Sequence, residues 1–104
     1  MIVDVALLYF DGCPNWQIAL EHIIEASKQG GTQVRVTTHL VETVEDANRL
    51  GFTGSPTIWL HGEDPFAKPD STPALACRVY ATPQGLAGSP TVRQIADALA
   101  AVPA

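Results

Sequence analysis

Residues 2–16 read IVDVALLYFDGCPNW. From Ile2 to Phe10 the chain is apolar, broken only by Asp4, a pattern that suits a strand buried on both faces. Asp11-Gly12 is a turn signal. Cys13 follows, then Pro14, which favours the first position of a helix because its missing N–H costs nothing there. Trp16, Ala19, Leu20, Ile23 and Ile24 then recur at helical spacing. Gly30-Gly31 ends the helix, since glycine takes the left-handed cap conformation easily. The opening unit is therefore a strand, a tight turn, and a helix with a cysteine at its start.

The rest of the chain is read against that unit. Residues 33–41 (QVRVTTHLV) are rich in β-branched types and predict a second strand. Thr43, with Asp46 three residues on, has the form of a capping box opening a short helix over VEDANRL, which Gly51 closes. After Gly54-Ser55-Pro56-Thr57 comes a third strand, TIWLH. Gly62 to Pro65 is a turn, and residues 65–74, with Pro65, Pro69 and Pro73, read as an exposed loop. Residues 75–81 (LACRVYA) predict a fourth strand, and residues 82–89 a Gly-containing connection. Ser89-Pro90 reads as an N-cap with a proline at the first helical position. The last helix then carries Val92, Ile95, Ala96, Leu99 and Val102 on one face. The order is βαβα then ββα: a parallel crossover, then a hairpin with a closing helix. The expected class is α/β, a four-stranded mixed sheet with helices on both faces.

The length of 104 residues fits one domain, spanning 1–104, and is too short for two. Apolar residues make up 46% and charged residues 16%, a balance that supports a packed core. Formal net charge is −5 and no Lys/Arg cluster exists, which argues against nucleic acid or an anionic membrane surface as partner. The apolar start is too short for a membrane span and lacks a basic leader. A cytoplasmic location is the expectation. There, two cysteines are more often reactive, metal-binding or simply buried than a permanent staple.

The element order, the helix-start cysteine and the X-Pro-Thr before the third strand together resemble the thioredoxin/glutaredoxin fold over essentially the whole chain. More narrowly, YFDGCPNW, GFTGSPTIWLHGEDPF, and LACRVY followed by GLAGSPT resemble a group of small bacterial thioredoxin-like proteins. These are variously called DF-family (seleno)proteins, thioredoxin-family proteins or alkylmercury lyases. The resemblance implies that Pro56 is cis and abuts the reactive thiol, shaping a groove for a thiol or disulfide substrate. It also implies that Cys77 matches the cysteine of the group's Cys-Arg-x-Tyr segment. Glutathione-using relatives hold their ligand beside that proline and at the start of the last helix, which points here to Ser55, Thr57 and Gly88-Ser89.

At Cys13 the chemistry follows from position. A thiolate is the nucleophile, and a helix N-terminus lowers a thiol pKa. Asp11, two residues away, opposes this if its carboxylate faces the sulfur, and no Lys or Arg lies between Tyr9 and Glu25. The prediction is a moderately activated, exposed thiol. A Cys-X-X-Cys motif would need cysteine at position 16, where Trp16 stands, as a packing residue or a lid beside the thiol. The first reading is a thiol–disulfide oxidoreductase of monothiol type, with Cys13 the nucleophile and an external thiol completing the exchange; the other route takes Cys77 as partner.

By alternation, Leu75, Cys77 and Val79 share one face and Ala76, Arg78 and Tyr80 the other. A cysteine between Leu and Val reads first as a small buried hydrophobe. If it instead meets Cys13, the two can form a disulfide, or a soft-metal or organomercurial site with Asp11 as proton donor. A non-catalytic binding module is the third reading. His22, His39 and His61 show no metal-ligand spacing, no resident metal or cofactor is called for, and Phe66 either covers the thiol or pins the Pro-rich loop.

Overall fold

A computed structural model describes residues 2–103. Strand β1 (Ile2–Tyr9) is the centre of a three-stranded sheet. Strand β2 (Gln33–Leu40) lies parallel to it on one side, from Ile2 opposite Gln33 to Tyr9 opposite Leu40. Strand β3 (Thr57–Leu60) lies antiparallel on the other, with Val5 opposite Leu60 and Leu8 opposite Thr57. Helix α1 (Asn15–Gly30) makes the crossover that a parallel pair requires, and Gly31 caps it in the left-handed region. Thr43 accepts a hydrogen bond from the Asp46 N–H and opens α2 (Val44–Leu50), closed by Gly51, as the sequence predicts. The capping box is only half made: Asp46 Oδ1 accepts from Arg49 at 3.1 Å, and no return bond to the Thr43 N–H is found among the described residues.

Side-chain alternation along β1 divides the core in two. Val3, Val5 and Leu7 point to Ala19, Ile23 and Ala26 of α1 and to Ile95 and Leu99 of α3 (Val92–Ala100). Leu8 points the other way, to Val41, Ala47 and Phe52. Helices thus cover both faces, but unequally. The seven-residue α2 shields only the Leu8 end, so Ile2 and Asp4 stay exposed. Only Leu7 and Leu8 are adjacent buried residues, fewer than a strand covered on both faces throughout would have. Asp4 needs no interior partner, because it meets Arg35 across the sheet at the surface, 3.3 Å away.

The sheet has three strands, not the four expected. Of residues 75–81, only Tyr80 and Ala81 enter a strand: β4 (Tyr80–Thr82) pairs antiparallel with β5 (Gly85–Ala87) in a separate hairpin. That hairpin occupies part of the segment expected to be a plain connection. The outer edge of β3 is partly taken by the chain's own turn, where the Leu60 N–H donates to the Glu63 carbonyl at 2.8 Å. The following segment meets this end of the molecule at one point, a parallel bridge between Ser55 and Cys77.

The last helix also starts later than expected. Thr91, not Ser89, is the N-cap, and it exchanges hydrogen bonds with Gln94 in a reciprocal capping box. Ser89 instead donates to the Pro90 carbonyl at 2.9 Å, and both residues are buried ahead of the helix. His22 on α1 lies 2.8 Å from the same carbonyl through Nδ1, tying the two helices together. No helix among the described residues is long and apolar enough to cross a membrane.

Candidate functional site

Cys13 lies in the turn between β1 and α1, where its N–H donates to the Phe10 carbonyl at 3.0 Å. Gly12 has no room for a side chain, since a Cβ there would stand 2.5 Å from the Phe10 ring. Pro14 is the N-cap of α1, and α1 has no side-chain cap of its own. The cysteine is fully buried, contrary to the exposed thiol expected from its position. What covers it is the Ser55 loop on one side and the segment around Cys77 on the other.

Cys77, 64 residues further along, forms a disulfide with Cys13, their Cα atoms 5.7 Å apart. Backbone pairing delivers it there. The Ser55 N–H donates to the Ala76 carbonyl at 2.7 Å, and the Arg78 N–H donates to the Ser55 carbonyl at 2.9 Å. These two bonds bracket Cys77 and fix its register against Ser55. Gly54 makes the approach possible: a Cβ there would lie 2.9 Å from the Arg78 Cβ, and its φ of 119° excludes most side chains.

From Cys77 to Tyr80 the buried face is the reverse of the one expected from the sequence. Cys77 and Val79 are exposed, whereas Arg78 and Tyr80 are buried. A buried guanidinium requires partners, and Arg78 has them. It pairs with Asp64 at 2.7 Å, donates to the Phe66 carbonyl at 2.7 Å, and reaches Thr53 Oγ1 at 3.3 Å. Its charge also sits 4.6 Å from the centre of the Tyr80 ring. The Tyr80 hydroxyl donates to the Pro56 carbonyl. Burial pushes the Tyr80 phenol above its ordinary pKa; Arg78 offsets part of that rise and Asp64 adds to it. Phe66 packs edge-on against Tyr80, so it pins the Pro-rich loop to this strand.

The Ser55–Pro56 peptide is cis, as the resemblance implies, and Pro56 is buried beside the pair. Ser55 and Thr57 are buried and already committed: Ser55 Oγ accepts from the Phe10 N–H at 3.0 Å, and Thr57 Oγ1 donates to the Gly54 carbonyl at 2.6 Å. Both are held as scaffold. Trp16 is half-buried and stacks on Tyr9, ring centroids 4.3 Å apart. Asp11 is exposed, and among the described residues no hydrogen bond joins it to either sulfur. No group of three or more His, Cys, Asp or Glu side chains that could hold a metal is found among the described residues.

Two features escaped the sequence reading. Asn15 Nδ2 lies 3.6 Å from Cys13 Sγ, and the buried Arg78–Asp64 pair stands directly behind Cys77. The signal for the first was a polar residue directly after Cys-Pro at a helix start. The signal for the second was an arginine inside an otherwise apolar strand pattern. On the open side of Cys77 runs a cleft of about 380 Å³, lined by Thr53, Lys68, Asp70, Ser71, Thr72 and Val79 along with Cys77 and Arg78. One sulfur of the disulfide therefore belongs to a buried residue and the other to a residue that borders a polar cleft. Compared with family models, with curated proteins and with solved structures, the chain matches none.

Proposed function

We propose that this protein is a thioredoxin-like thiol–disulfide oxidoreductase working through the Cys13–Cys77 pair. The observation that carries the reading is the asymmetry of that pair. Two cysteines far apart in sequence are brought together, one fully buried at a helix start and the other exposed at a cleft. Position 16, where a neighbouring second thiol would stand, holds Trp16. Cys77 supplies the missing partner from another part of the chain.

The steps follow from access. An incoming thiolate approaches through the cleft and attacks Cys77 Sγ. A new bond joins the substrate sulfur to Cys77, the Cys13–Cys77 bond breaks, and its electron pair goes to Cys13 Sγ. A second substrate thiolate then attacks the substrate sulfur of the mixed disulfide. This releases the substrate disulfide and leaves both cysteines reduced. Run in reverse, the reduced pair reduces a disulfide substrate. Compared with a monothiol mechanism centred on Cys13, the entry point moves to Cys77 and Cys13 becomes the resolving sulfur. Such a cycling pair fits a reducing compartment, the cytoplasm in our reading, where persistent disulfides are rare and those that occur are mostly catalytic or redox-sensing.

The test is an equilibration of the protein in graded thiol/disulfide buffers, with acid quenching, alkylation and mass counting of blocked cysteines. Cys13 and Cys77 are expected to gain and lose the alkylating label together, with one midpoint. Two cysteines that stay alkylatable in the most oxidising buffer, or that label independently, remove the reading.

A further inference from the structure

We propose that the Asn15 amide is the hydrogen-bond donor that holds the Cys13 sulfur as a leaving thiolate, and that Gly88 keeps this amide in place. The inference rests on the exchange reading above and assigns a residue to its bond-breaking step. When a thiolate attacks Cys77 Sγ, the electron pair of the broken S–S bond collects on Cys13 Sγ, inside the protein. A buried anion is costly unless a donor faces it. Two polar neighbours stand at this sulfur: Asn15 Nδ2 at 3.6 Å and the Ser55 carbonyl oxygen at 3.7 Å. A carbonyl oxygen only accepts, so it favours the protonated thiol. The Asn15 N–H only donates, so it favours the thiolate, and its bond strengthens as charge arrives. The two contacts therefore act in opposite senses, and Asn15 is the side chain that assists departure.

Gly88, in the chain leading to α3, closes over that amide. A Cβ at position 88 would stand 2.2 Å from Asn15 Nδ2 and 2.5 Å from Asn15 Cγ, distances no side chain can occupy. Any larger residue there must push the amide off its site. No other hydrogen bond of the Asn15 side chain is found among the described residues, so this packing is what orients it.

The experiment uses full-length variants carrying Cys77→Ser, so that Cys13 is the only thiol, and follows thiolate ultraviolet absorbance against pH. Asn15→Asp keeps the shape but replaces the donor with an acceptor. A carboxylate this close raises the Cys13 pKa by its charge alone, so the uncharged variants Asn15→Ala and Gly88→Ala decide: a purely structural role for Asn15 leaves the Cys13 titration unmoved in both. The expected result is a Cys13 pKa raised by about one unit in Asn15→Ala, or about tenfold less thiolate near neutral pH, and raised further in Asn15→Asp. Gly88→Ala, with Asn15 intact, is expected to move it in the same direction. Asn15→Ala and Gly88→Ala titrations that coincide with the parent overturn the assignment. Exchange with a small uncharged thiol is scored separately on the disulfide form. If the titration shifts but the parent does not exchange, the oxidoreductase reading falls and the Asn15 contact stands. If the parent exchanges but the titration does not shift, the role of Asn15 falls alone.

Discussion

At the scale of single residues, the least expected feature is a charge. Arg78 is buried next to Cys77, and Asp64 neutralises it from a loop fourteen positions earlier. Their side chains are 8% and 15% exposed, so the pair is desolvated, and its value lies in being complete. Removing one partner strands the other. Asp64→Asn is therefore expected to cost about 3 kcal/mol of stability in chemical denaturation, and a loss under 1 kcal/mol contradicts the account. Arg78→Met with Asp64→Leu, which removes both charges, should recover most of that loss. The place of Cys13 at a helix start was legible at this scale and the cis form of Pro56 followed from the resemblance, but the burial of Cys13 was not foreseen. Nor was the burial of Arg78, because it depends on Asp64, Thr53 and the Phe66 carbonyl, none of them near it in sequence. The exposure of Cys77 follows from the same fact. Once Arg78 and Tyr80 turn inward, alternation turns Cys77 outward.

At the scale of elements, β1, α1, β2, α2 and β3 all stand where apolar periodicity and capping residues predict them. Each is specified by residues within itself or at its ends. The predicted fourth strand is the exception. LACRVYA has the composition of a strand, but composition does not name a partner. The partner edge, β3, is already partly covered by the Leu60–Glu63 turn. What remains is one bridge, Ser55 to Cys77, and the site depends on it. Gly54 is the residue that lets the two backbones meet. Gly54→Ala places a methyl 2.9 Å from the Arg78 Cβ at a φ of 119°. We expect a loss of about 1–3 kcal/mol together with a smaller fraction of molecules carrying the disulfide after oxidation. Full disulfide yield at unchanged stability contradicts this view of the bridge.

At the scale of the whole molecule, two segments far apart in the chain are joined by one sulfur–sulfur bond. The β1–α1 turn contributes Cys13 and sets it beneath the surface. The loop after β3 carries Cys77 back across the Ser55 segment and leaves it facing a cleft. Whether the two cysteines meet was not legible in the sequence, which favoured a lone thiol at Cys13 and kept the pair as the alternative. Only the course of residues 61–79 decides it. The central claim is that chemistry enters at Cys77 and leaves its electrons at Cys13. The most direct measurement is to expose the oxidised protein to a limiting amount of a small thiol, quench with acid, and map the adduct by peptide mass. The account predicts the small thiol joined to Cys77 with Cys13 free. A small thiol joined to Cys13, with Cys77 free, contradicts it.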